Sequence, residues 1–323
     1  MNLSCPICQK KSKLISRKSR SKNILKLGYC SICDFIFSKD DKTISLENNQ
    51  LDITRLNDAG MEIPSLNKDF ENGVIQSKNY VKEFFNQSDK ELDILEIGSS
   101  WGYFLDICKK LGHKPVGIEL NKIRQNYIKN KLNINCYKRI DEVKENQFKF
   151  DKVFLFYVLE YINNPLSYLQ ELLSILKKNG EIIIITPNKN DVISNIWSNE
   201  NYKEFIIDEH VVNYFSVNSF LVIKDIFKES NFEIVDKQGY SFFNHLKWYF
   251  TDKPSTTGLV GGDNFPLNIK KKLLCNNEKS KEEELISQEI GDLIQETDKK
   301  YKDIIEKYKM GNQIIIKIRK KSF

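Results

Sequence analysis

Apolar residues fall into short runs separated by stretches with helical spacing over most of the chain. Asp93 to Ile97, Pro115 to Glu119, Asp151 to Tyr157, Glu181 to Thr186 and Phe232 to Gln238 are runs of five to seven residues, most of them rich in Ile, Val or Phe. That length and composition suit buried strands. Phe104 to Leu111, Lys122 to Lys131, Pro165 to Lys177 and Ser219 to Ser230 repeat apolar positions as amphipathic helices do. A weaker strand is expected near Asn135 to Lys138, and a last one at Gln313 to Arg319. Strands alternating with helices predict an α/β fold, a Rossmann-like, doubly wound sheet of seven mostly parallel strands covered on both faces.

Outside this block the pattern changes. Residues 1–38 read as a separate small unit, 39–79 as a polar linker with short helical pieces, and 80–323 as the α/β domain, entered through a helix around Tyr80 to Asn86. Residues 239–311 form an insertion before the last strand. Its second half places Leu285, Ile286, Ile290, Leu293, Ile294, Tyr301, Ile304, Ile305 and Tyr308 on helical spacing, with Gly311 as the stop. This amphipathic helix, 281–310, packs on the core, leans over a site or pairs in a homodimer. Gly258 to Asp263 is expected to be a mobile loop.

Composition narrows the class. With 323 residues, 40% hydrophobic and 11% aromatic, the chain can close a core, and 14 Gly with 7 Pro are too few for collagen-like or Gly/Pro-rich disorder. No run approaches the roughly 20 apolar residues that span a bilayer, and MNLSCPICQKKSK lacks the apolar stretch of a secretory signal. A cytoplasmic protein without membrane insertion is expected.

In a reducing compartment the seven cysteines are not a disulfide framework. Four of them form two CxxC pairs, Cys5/Cys8 and Cys30/Cys33, the spacing of a zinc ribbon whose filled tetrahedral site makes the metal structural. Cys108, Cys136 and Cys275 read as small buried hydrophobes. The net charge of +6 is uneven, because eight basic residues and no acid lie between Met1 and Cys33. That basic face is a solvated surface or a docking face for an anionic partner. The near-neutral remainder disfavours nucleic acid.

The chemistry concentrates at the strand ends. Leu95-Glu96-Ile97-Gly98-Ser99-Ser100-Trp101-Gly102 follows the first strand with the spacing ExGxxxG. A dinucleotide site wants GxGxxG for its pyrophosphate, and Ser100 occupies the second Gly position. Glu119 ends the second strand, where a carboxylate can accept from both hydroxyls of a ribose. A positively charged, phosphate-free adenosine fits both features.

With these residues the segment resembles the class I S-adenosylmethionine-dependent methyltransferases over roughly Tyr80 to Lys320. Phe150 to Pro165 resembles that family's fourth-strand motif and Leu176 to Asn188 its fifth-strand motif, with Ser100 and Tyr161 as departures from a frequent Gly and a frequent His. The resemblance implies that Glu96, Gly98, Ser99 and Gly102 line the methionine end of S-adenosylmethionine, that Glu119 holds the ribose and that Tyr157 abuts the cofactor. A ribbon joined to such a domain resembles enzymes of bacterial sugar and secondary-metabolite pathways. It implies O-methylation of a sugar, a nucleotide-linked sugar or another small molecule. Asp208 to Ser216 resembles the family's segment after the fifth strand. It puts His210 forward as general base with Glu209 beside it, and Glu160, just beyond the fourth strand on the rim where acceptors bind in that family, joins them to aid the base or orient a substrate hydroxyl. The alternatives are methylation of RNA or protein gripped by the basic ribbon, and a non-catalytic scaffold that binds the cofactor.

Overall fold

The computed structural model describes residues 3–38, 68–86, 88, 89, 91–250 and 281–321. Most of the expected linker, the loop Gly258 to Asp263 and Cys275 lie outside the described residues.

Three antiparallel strands open the chain: β1 (Lys13–Lys18), β2 (Ile24–Cys30) and β3 (Phe35–Ser38). After the helix α1 (Lys68–Phe84) the α/β alternation begins. It runs β4 (Asp93–Ile97), α2 (Tyr103–Lys110), β5 (Lys114–Ile118), α3 (Lys122–Asn130), β6 (Asn135–Tyr137), α4 (Ile140–Glu145) and β7 (Phe150–Phe156). A 3₁₀ turn (Leu159–Tyr161) leads into α5 (Pro165–Ser174) and β8 (Leu176–Pro187). Then come α6 (Val192–Asn195), α7 (Glu200–Phe205), β9 (Asn213–Tyr214), α8 (Val217–Ile226), β10 (Ser230–Lys237), α9 (Phe242–Phe250), α10 (Lys281–Lys307) and β11 (Gln313–Lys320).

The main sheet has the order β10-β11-β8-β7-β4-β5-β6. Only β11 runs against its neighbours. The expected seven-stranded, doubly wound sheet is therefore present. Its central strands are buried on both faces, which is why Ile182 to Ile185 can be a continuous run at 0–1% exposure. Alternate residues go to opposite layers. Leu95, Val153, Leu155, Ile182, Ile184 and Ile316 share a core with α5, α8 and the ribbon, whereas Ile94, Phe154, Ile183, Ile185 and Ile315 meet Phe84 of α1 and Phe104 of α2.

Two expectations are corrected. The helix before Asn86 starts at Lys68, twelve residues before Tyr80, so α1 occupies part of the expected linker. Lys177 lies in β8 and not in the preceding helix, because α5 ends at Ser174. Leu176 already pairs with Phe150, and Lys177 Nζ lies 2.5 Å from Asp93 and 2.7 Å from Asp151. Those partners are distant in sequence, so tertiary pairing overrides the local helical pattern.

Candidate active site

β4 and β7 are adjacent, yet the chain continues from them towards opposite edges of the sheet. A crevice therefore opens beyond their carboxyl ends. Gly98, Ser100 and Gly102, following β4, have φ of 71°, 50° and 74°. A Cβ on Gly98 would stand 2.6 Å from Val158, and one on Gly102 2.8 Å from Leu132, so conformation and space both require glycine there. Ser100 takes the left-handed conformation at a cost of roughly 1–2 kcal/mol, offset by its N–H donating to Glu119 Oε2 at 2.8 Å. Here lies the reason that the departure from Gly is tolerated.

Glu119 is tied in place twice, since its Oε1 accepts from the Asn121 N–H at 2.8 Å. Both bonds come from backbone N–H groups, and they fix the carboxylate at the strand end where a ribose would lie. Glu96 is different: it is 6% exposed and its Oε2 is buried without a hydrogen-bond partner. Burial, and then the Glu119 charge, push its carboxyl well above the usual carboxylate range. A buried orphan oxygen beside a second carboxylate is a donor set that a cationic ligand satisfies, and this chemistry fits S-adenosylmethionine. Ser99 turns inward. Its hydroxyl donates to the Glu96 and Ile118 carbonyls, so it shapes the loop and its side chain is not offered to a ligand.

A second feature is a cavity of about 220 Å³ beside this crevice. Tyr157, Glu160 and Tyr161 supply its β7 side, Asn188 and Asp191 the side after β8, and Tyr202, Asn213 and Tyr240 part of the rest. Tyr157 is left-handed, at φ 57°, with its N–H donating to Ile185 and its hydroxyl donating to Gln313 Oε1 at 2.6 Å. Glu160 is 4% exposed and accepts from Thr186 Oγ1 at 3.1 Å. Burial pushes its carboxyl up to about 8 despite that bond. Asp191, pushed up to about 6 by burial, caps α6 and accepts from the Tyr202 hydroxyl.

Asn213 locks the turn that carries Glu160. Its Nδ2 donates to the Ile162 carbonyl at 2.6 Å and the Leu159 carbonyl at 3.3 Å, leaving Oδ1 buried without a partner in the cavity wall.

Two of the three expected catalytic residues fall outside this cavity. His210 is not among its lining residues, and its N–H donates to Asp208 Oδ1 at 2.7 Å within its own turn. Glu209 faces the ribbon, where its carboxylate accepts from Ser19, Ser21 and Asn23, so its oxygens are committed to docking. His245 is fully buried, with Nε2 accepting from Gln238 and Nδ1 donating to Tyr301. Burial lowers it to about 3, so it stays neutral.

A family model described as a methyltransferase domain matches residues 76–237, half of the chain. The chain belongs to the class I S-adenosylmethionine-dependent methyltransferases. A ubiquinone biosynthesis O-methyltransferase of Pelagibacter ubique is 31% identical to this methyltransferase over 121 residues, 35% of this chain and 50% of the relative. The chain thus spans about half the length of that curated relative. Among solved structures it is similar to the plantazolicin methyltransferase BpumL in complex with SAH, at 17% identity over 88% of this chain and 92% of that one, with a TM-score of 0.41. It is also similar to a possible histamine N-methyltransferase from Thermotoga maritima, at 13% identity over 87% and 100%, with a TM-score of 0.46.

The ribbon of this methyltransferase is welded to the catalytic domain. Cys5, Cys8, Cys30 and Cys33 bring their sulfurs within 4.8 Å of one another. The Cys5–Cys33 and Cys8–Cys30 separations are 3.8 and 3.6 Å. A zinc tetrahedron with bonds near 2.3 Å has edges of about 3.8 Å, so the four thiolates fit that ion with no position left open for catalysis. β3 extends into the body by pairing Ile36 with Tyr214 and Phe37 with Asn213. Phe35 packs on Phe215 at 5.1 Å. Lys18 and Lys22 bridge to Glu204, and Arg20 to Asp208. Three of the eight ribbon cations are therefore engaged by the body. Arg20 also reaches the cavity wall, a contribution that no local sequence signal announced. Among the described residues no helix is long and apolar enough to cross a membrane.

Proposed function

We propose that this methyltransferase acts on an oxygen atom of a small hydroxylated molecule, with a sugar or nucleotide-linked sugar as the first acceptor class to try. The acceptor sits in the 220 Å³ cavity. Glu96, Gly98, Gly102, Glu119 and Tyr157 hold the cofactor, which supplies an electrophilic methyl group on a sulfonium. The observation that carries this reading is Glu160, a buried carboxyl in the cavity wall raised to about 8. A base of that strength can take the proton of an acceptor hydroxyl as the oxygen attacks, and such a base contributes about 10² to 10⁴ in rate. The similarity to the Pelagibacter ubiquinone biosynthesis O-methyltransferase supports oxygen as the nucleophile.

Positioning supplies the larger share of the acceleration. Asn213 and Thr186 hold the Glu160 turn, and the Asn213 Oδ1 offers an acceptor lone pair to a substrate hydroxyl. Asp208 and Glu209 dock the ribbon in this reading, and His210 lies in the docking turn. One structural zinc occupies the four cysteines in this reading, and a cysteine set kept for metal suits a reducing compartment such as the cytoplasm. The reading is tested by a labelled-methyl screen of the full chain against nucleotide sugars, free sugars and phenols. Transfer to a hydroxyl that falls by at least about 10² in Glu160→Gln supports it; transfer to nitrogen or carbon, or full activity in that variant, opposes it.

A further inference from the structure

The long helix α10 has one mixed face buried against the chain and a separate apolar stripe that stays exposed among the described residues. Ser287, Gly291, Asp298 and Ile305 are buried, and this face meets α9 through the His245–Tyr301 contact and through the Phe242 N–H donating to Asp298 Oδ1. About a quarter turn away, Ile286, Ile290, Leu293 and Ile304 are 49, 44, 63 and 58% exposed. With Thr297 and Lys300 they recur in alternating steps of four and three residues, the seam of a coiled coil.

We propose that this exposed stripe is the contact between two copies of the chain, packed as antiparallel α10 helices about a two-fold axis at Gln295. The seam is symmetric about that residue: Ile286 mirrors Ile304, Ile290 mirrors Lys300 and Leu293 mirrors Thr297. An antiparallel pair therefore sets Ile286 on the partner's Ile304 at both ends of a seam about 27 Å long. The charges run the same way. Lys281 to Asp298 holds seven acids and one lysine, whereas Lys299 to Lys309 holds five lysines and two acids. Antiparallel packing lays the acidic half on the basic half, and parallel packing would set like on like.

Individual positions agree with that direction. Glu283 falls opposite Lys307, and Lys300 lies over Ile290 with Glu289 beside it, so its aliphatic stem covers the seam while its ammonium reaches the acid. Among the described residues Lys299 and Lys300 pair one turn away with the exposed Asp303 and Glu296, contacts that exchange readily for others across the seam. A self-complementary patch of this kind is what a closed two-fold dimer uses. The pairing is independent of what the enzyme methylates.

Sedimentation velocity of the full chain tests it. The wild type is expected to be a dimer at about 100 µM, and Ile290→Lys to weaken association by about a hundredfold, with circular dichroism unchanged. Glu283→Lys should weaken the dimer, and adding Lys307→Glu should restore it, a readout that general misfolding does not produce. A wild-type monomer at that concentration overturns the proposal, whether the stripe is then covered by the chain's own residues 251–280 or by solvent. So does a dimer indifferent to Ile290→Lys, or a double charge reversal that fails to recover association.

Discussion

Replacing Glu160 by Gln removes a proton site while keeping the shape of the neutral acid. Burial raises this carboxyl from 4.5 to about 8, which corresponds to about 4–5 kcal/mol of preference for the neutral form in the fold. The sign follows from proton counting. Between pH 4.5 and 8 the folded protein keeps a proton that the unfolded chain releases, so this residue makes stability fall as pH rises through that window, and above it the whole penalty remains. Near pH 4.5 the two proteins should be almost equally stable. By pH 9 Glu160→Gln should be the more stable by up to about 4–5 kcal/mol. Denaturant titrations of both proteins at a series of pH values read this directly, because every other titrating group cancels in the difference. In activity, wild-type kcat/KM should climb through pH 8 as the base ionises, and the variant should lose that limb. A stability difference independent of pH would refute the burial argument, and a surviving limb would refute the role in proton transfer.

Other outcomes follow from the same geometry. Gly98→Ala puts a methyl group 2.6 Å from Val158 in a left-handed conformation; it should cost at least about 2 kcal/mol and abolish S-adenosylhomocysteine binding, measured by thermal melts and calorimetry. Metal analysis should find about one zinc per chain, lost in the Cys5→Ser/Cys30→Ser protein, which should melt well below the wild type because Phe35 and Cys33 share the catalytic domain's core. A metal-free wild type that is fully folded would reject the ribbon as a zinc site. Glu209→Ala should loosen the ribbon by about 1–2 kcal/mol, seen as faster amide exchange in β1 and β2, while leaving kcat within about twofold. A large loss of kcat at unchanged exchange would restore Glu209 to the catalytic set.

What could be read along the chain was the part written in short-range patterns. The CxxC pairs, the ExGxxxG turn and Glu119 each depend on residues a few positions apart or on the repeat of strand and helix, and these signals survive in one dimension. The seven-stranded, mostly parallel sheet followed from the same alternation, though not the order of its strands. The acceptor side was not legible for a physical reason. Of the residues around Glu160, which the sequence did put forward, Arg20, Asp191, Tyr202 and Asn213 lie far from it along the chain and line the same cavity only in the folded structure, Arg20 from the ribbon and Asn213 from the strand that pairs with β3. His210 drew attention as a titratable residue in a suggestive segment, whereas the neighbouring Asn213, an amide with no titration of its own, holds the Glu160 turn. Lys177 misled for a related reason, because a lysine held by Asp93 and Asp151 looks locally like helix.

The central claim is that the two carboxylates at the ends of β4 and β5 hold a cationic adenosine. Calorimetric titration of S-adenosylhomocysteine and S-adenosylmethionine into wild type, Glu96→Gln and Glu119→Ala measures it. One ligand should bind per wild-type chain, Glu119→Ala should lose both ligands, and Glu96→Gln should lose more affinity for the cationic ligand than for the neutral thioether. Equal binding by all three proteins would contradict the account.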